Sequence, residues 1–163
     1  MALVLTACAS GAVHSEGAAS VDPTLPSDPC SLVTVEEVEA ATGSEVVRTG
    51  LVPDDRLHRP TDIPGWGPPR IFRTNPCEFV TDGMHASITV YVDPDGAADF
   101  AAERDTDPVN TEPIEGIGDE AFAHALASLH VRAGDGYFVL STQHGAGWEG
   151  IEDLQDLARA ALD

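Results

Sequence analysis

The chain contains no lysine: its eight basic residues are all arginine, set against 28 acids for a formal charge of −20. The accompanying excess of Ala, Gly, Asp and Val matches the coding bias of a GC-rich genome and carries no functional weight. The charge itself excludes more. A surface this acidic is repelled by nucleic-acid phosphates and by anionic lipid headgroups. Arg48, Arg56, Arg59, Arg70 and Arg73 are dispersed, with Asp54, Asp55 and Asp62 among them, so no basic patch offsets it. No stretch beyond the N-terminus approaches the ~18 uninterrupted apolar residues of a membrane span. Also missing are C-x-x-C, H-x-H and H-E-x-x-H spacings and the G-x-S-x-G nucleophile elbow.

One motif with a catalytic reputation is present. Gly145, Gly147 and Gly150 stand in G-x-G-x-x-G spacing after the apolar run Tyr137–Leu140. A dinucleotide fold needs a second strand and an acid about 20 residues further on to hold the ribose. Only 13 residues follow Gly150, so neither fits. The glycines read as a chain reversal, and no cofactor is expected.

The N-terminal stretch Leu5-Thr6-Ala7-Cys8 resembles the bacterial lipobox, which implies that Cys8 receives a lipid and becomes the first mature residue. Seven uncharged residues precede it, shorter than a signal peptide requires, so residues 1–7 read as a truncated signal-peptide remnant. Residues 8–28 are rich in Ala, Ser and Gly and cannot build a core. As a flexible tether they would span roughly 25 Å. Acyl chains on Cys8 would then hold the body at the extracytoplasmic face of the cell membrane, which its charge alone would not do.

Three cysteines are an odd number for an exported protein. With Cys8 lipidated, Cys30 and Cys77 remain, and an oxidising compartment pairs them.

Residues 29–163 read as one domain. Thr34 and Glu37 form a capping box, Val33 and Val38 a hydrophobic staple, and Gly43 a stop, which predicts a helix over Val35–Thr42. Residues 50–76 hold six prolines and three glycines and read as a long loop, with a short strand at Arg70–Arg73. Trp66 within it is the candidate ligand contact. The alternation of "HASITVYV" puts Ala86, Ile88, Val90 and Val92 inward and His85, Ser87, Thr89 and Tyr91 outward. A short helix follows over Ala97–Arg104, with Asp95 as its expected cap. Residues 119–143 give two or three strands with a hairpin at Ala133–Gly136. Ile151, Leu154, Leu157, Ala158, Ala161 and Leu162 line a terminal amphipathic helix. The sum is an α+β fold: an antiparallel sheet of about five to six strands with two or three helices on one face.

Candidate chemistry is sparse. Asp93, Asp95 and Asp99 lack the register of a calcium loop, so no metal is expected. His85 and His130 fall on the expected outer, solvated strand faces. Ser128, Ser141 and Thr142 lie near His130 and His144 without an Asp in a meaningful position. Gly116 and Gly118 suit a tight turn, to whose amides Asp119 can bond back.

"DPCSLVTVEEVEAATG" (Asp28–Gly43), "PIEGIGDEAF" (Pro113–Phe122) and the "PCEF" around Cys77 resemble an uncharacterised actinobacterial envelope lipoprotein family. Its members share a D-P-C-x-L-L-T start and a later G-L-G-D-x-A block. The resemblance implies an envelope domain with a disulfide and carries over no catalytic residue. The expectation is a lipid-anchored binding domain without catalysis, taking a small apolar ligand or an envelope protein. The alternatives are an envelope hydrolase using a Ser/His pair and a structural accessory subunit.

Overall fold

A computed structural model describes residues 24–53, 75–82, 87–106, 109–124, 128–143 and 150–163. A 3-10 turn at Pro29–Ser31 leads into α1 (Val35–Thr42). Then come β1 (Val46–Leu51), β2 (Cys77–Thr81), β3 (Ser87–Asp93), α2 (Ala97–Thr106), β4 (Thr111–Ile114), β5 (Glu120–His124), β6 (Ser128–Ala133), β7 (Gly136–Gln143) and α3 (Ile151–Ala160). The strands make one sheet in the order β1-β2-β3-β7-β6-β5-β4, with every neighbouring pair antiparallel.

Local chemistry sets α1. Thr34 Oγ1 accepts from the Glu37 amide at 3.2 Å, and the Glu37 carboxylate accepts from the Thr34 amide at 2.7 Å. Gly43 ends the helix in the left-handed region at φ 64°. Val33 and Val38 are both fully buried, as a staple requires. Thr34→Ala is expected to cost about 1 kcal/mol of unfolding free energy, read from a denaturation midpoint.

The fold class is as expected, but the described residues make a sheet of seven strands. The additional one is β4, "TEPI", which is short, contains Pro113 and has no apolar alternation. Proline is tolerated there because β4 is an edge strand, where a missing N–H breaks no ladder. β1 also reaches into the stretch read as a loop, ending at Leu51 opposite Cys77.

The helices do not share one face. α1 and α3 contribute Val38, Leu154 and Leu157 to a cluster with Phe79, Ile88, Val90, Leu129, Phe138 and Leu140. Phe100 of α2 instead joins Phe122, Tyr137 and Val139, with Tyr91 beside them. Strand residues alternate between faces. Ile88, Val90 and Val92 therefore face α1 and α3, and Tyr91 faces α2.

Topology gives the reason. β3 and β6 flank β7 and both run antiparallel to it. The units α1-β1-β2-β3 and α2-β4-β5-β6 are thus related by rotation about the line of β7, which turns the sheet over. Each unit pairs a buried phenylalanine with a residue on its third strand. That partner is Ile88 for Phe79 and His130 for Phe122. The outward assignment of Ser87 and Thr89 is corrected accordingly: they are 3% and 2% exposed, because this central strand is enclosed on both sides.

The Cys30–Cys77 disulfide is present, with Cα atoms 5.0 Å apart, and ties the 3-10 turn to the start of β2. Cys77 is completely buried. Leu25, within the stretch read as tether, also packs into the α1/α3 core. α3 keeps its expected inward face of Ile151, Leu154, Leu157 and Ala158.

Candidate functional site

The polar residues that converge lie on the α2 face. His130 has no exposed surface. Its ring stacks on Phe122 at 4.4 Å with planes 13° apart, and the His124 ring stands 6.3 Å away. Ser128 Oγ lies 2.9 Å from His130 Nε2, and the Tyr137 hydroxyl lies 2.6 Å from Nδ1. A neutral imidazole carries one N–H, so one hydroxyl accepts from the ring and the other donates to it. Solvation of His130, expected from its strand position, is therefore corrected. The alternation holds, but the face opposite Leu129 and Val131 is roofed by Phe100 of α2. A signal was available: Tyr91, Phe122 and Tyr137 all fall at nominally outward positions, and an outer face lined with large rings is a covered face.

Cross-strand register extends this cluster into two parallel rows. One runs Pro113, Phe122, His130, Val139, Tyr91 over strands β4, β5, β6, β7 and β3. The adjacent row on the same face runs Thr111, His124, Ser128, Ser141, Thr89, and every member is polar. Adjacent strands are about 4.8 Å apart, so this polar row spans roughly 19 Å. Thr111, His124, Ser128 and Ser141 are half-buried and Thr89 is 2% exposed; beyond Thr89 the register continues to Glu78 of β2, whose carboxylate is paired with Arg48. Thr89 Oγ1 is buried and has no hydrogen-bond partner among the described residues. Thr142 Oγ1 is in the same condition on the other face, where Thr142 pairs with Ile88.

An open cleft of about 600 Å³ lies between α2 and the β4–β5 turn, lined by Arg104, Ile114, Ile117, Glu120 and Phe122 among others. Arg104 pairs with Glu120 and Asp105 there, and these hydrogen bonds hold its guanidinium pKa above the usual arginine value. The turn itself is structural. Asp119 Oδ2 accepts from the Gly134 amide at 2.8 Å, so it supports the β6–β7 hairpin rather than its own turn. Gly118 sits at φ 57°, and a Cβ there would lie 2.4 Å from the Arg132 carbonyl oxygen. Gly118→Ala is expected to lose more than about 2 kcal/mol, measured by chemical denaturation, since neither the backbone conformation nor the neighbouring carbonyl can yield.

Ahead of α2, Asp93 Oδ1 accepts from the Asp95 amide at 3.1 Å and closes a turn, and the residue at the cap position is Gly96, whose carbonyl accepts from Phe100, not the expected Asp95. Ser128 and Ser141 stand directly opposite each other, and Thr142 points to the other core. Cys8, Trp66, His14, His58, His85, His144, Gly145, Gly147 and the strand expected at Arg70–Arg73 lie outside the described residues. Among the described residues, no group of three His, Cys, Asp or Glu side chains is placed to hold a metal ion. None of their helices is long and apolar enough to cross a membrane. The chain matches no protein-family description, no curated protein and no solved structure.

Proposed function

We propose that this is an extracytoplasmic lipoprotein, held to the cell membrane through a lipid on Cys8, whose α+β domain binds a ligand or an envelope protein without catalysis. The observation that carries the reading is the Cys30–Cys77 disulfide. Structural disulfides persist in oxidising compartments and are rare in the cytosol. Supporting it are the lipobox-like Leu5–Cys8, the low-complexity stretch after it, and the envelope-family resemblance of Asp28–Gly43 and Pro113–Phe122. The acidic surface needs a covalent anchor to stay at an anionic membrane.

The test is intact and peptide mass spectrometry of protein extracted from its own host. A diacylglyceryl mass on a peptide beginning at Cys8 is expected. An unmodified Cys8 within an uncleaved leader overturns the anchoring.

A second reading, a Ser/His hydrolase, is favoured by one observation, the 2.9 Å approach of Ser128 to His130. Against it, the base is wholly enclosed and its far nitrogen meets a phenol rather than a carboxylate. A fluorophosphonate probe decides: labelling at Ser128 that is lost in His130→Gln establishes the hydrolase, and no labelling leaves the binding reading.

A further inference from the structure

The row Thr111–His124–Ser128–Ser141–Thr89 contains an unusual element: Thr89 is 2% exposed, and its hydroxyl has no hydrogen-bond partner among the described residues. Unmade hydrogen bonds at buried groups are costly and persist in few places, one of which is a site completed by something else. Thr89 lies directly across from Ser141, which lies across from Ser128. The orphan hydroxyl thus stands at the buried end of a line of hydroxyls, between Ser141 and Glu78 of β2, and the line becomes half-exposed from Ser141 outward.

We infer that this row is the ligand-binding site of the domain and that its ligand is a neutral polyhydroxyl compound, a sugar or polyol. The inference rests on the binding reading above and replaces the apolar ligand expected from the sequence with a polar one. Ser141 and Thr89 each offer one donor and two acceptor positions, and Ser128 those that its bond to His130 leaves open, which matches a ligand whose own groups both donate and accept. The five residues include no Asp, Glu or Arg, and Glu78, next in register after Thr89, has its charge met by Arg48 at 2.8 Å, so the row offers no open counter-charge to an ionic ligand. The −20 charge of the chain disfavours an anion further. The Phe122–His130–Tyr137 cluster beneath fixes Ser128 from one side through its bond to Nε2. Such rigid support is what a site for directional hydrogen bonds requires.

Thr89 and Thr142 make the test selective. Both hydroxyls are buried and unpartnered, on opposite faces of the sheet. Removing either by a Thr→Val change relieves an unmet hydrogen bond, so each should raise Tm by roughly 2–4 °C. Only Thr89→Val should impair binding. The probes are maltotriose and N,N′-diacetylchitobiose, titrated into the full disulfide-intact chain and followed by backbone-amide NMR. At millimolar sugar, saturable shifts at Thr89, Ser128 and Ser141 are expected. Thr89→Val should weaken binding about tenfold, the loss of one hydrogen bond, while Thr142→Val binds as the unmodified protein does. Should Thr89→Val fail to fold, Ser141→Ala tests the same row and should weaken binding similarly. The inference is overturned if neither sugar shifts these resonances, or if the row variants bind unchanged. A different compound co-purifying with the protein from its host, with both sugars inert, removes the polyol assignment and leaves the binding reading standing.

Discussion

Cys30→Ser is expected to lower the unfolding free energy by about 4 kcal/mol, the chain-entropy value for a loop closed over 47 residues. At this chain length that is a fall in Tm of roughly 8–16 °C. Two features place the effect near the top of its range. The closed loop contains α1 and β1, so the cross-link restrains the first half of that unit in the unfolded chain. Cys77 is fully buried beside Phe79 in the α1/α3 core, and its pairing tethers the 3-10 turn against the sheet. Substituting Cys30 rather than Cys77 leaves only a small apolar thiol in that core, which is well tolerated there. Adding Cys77→Ala should cost only the packing of one sulfur, since the shared interaction is already gone. A loss below about 1 kcal/mol in urea denaturation would show that the first unit is held by packing alone.

His130→Ala is the second large effect, about 3–5 kcal/mol. The substitution empties the space stacked on Phe122 and withdraws the ring from Ser128 and Tyr137 together. His130→Phe separates the two contributions. It keeps a ring against Phe122 and removes both hydrogen bonds, and should cost about half as much. A solvated strand histidine would instead change stability by under about 0.5 kcal/mol. The measurement therefore decides directly between the position expected from the sequence and the position observed.

That contrast marks what was legible before the structure. Signals that act over a few residues survived: the Thr34/Glu37 box and Gly43 fixed the two ends of α1, and the Ala133–Gly136 hairpin closed as expected. The period of α3 chose its buried face. What was lost depended on contacts distant in sequence. Alternation states that Leu129 and His130 face opposite ways, but not that both sides are covered. α2 carries only one buried residue, Phe100, so its own pattern gave little notice of the second core. β4 escaped because a short edge strand with a proline has no periodicity to read. The disulfide was legible by counting cysteines. The polar row was not, since it exists only once strands far apart in the chain are brought into register.

The central claim is that the domain matures and works in an oxidising compartment. Protein taken from its own host is quenched with acid, alkylated under denaturing conditions without reductant, and its Cys30 and Cys77 peptides are weighed. The account predicts that both cysteines escape alkylation and appear as one linked peptide pair, released only by reductant. Alkylated thiols at both positions in freshly isolated material would contradict it.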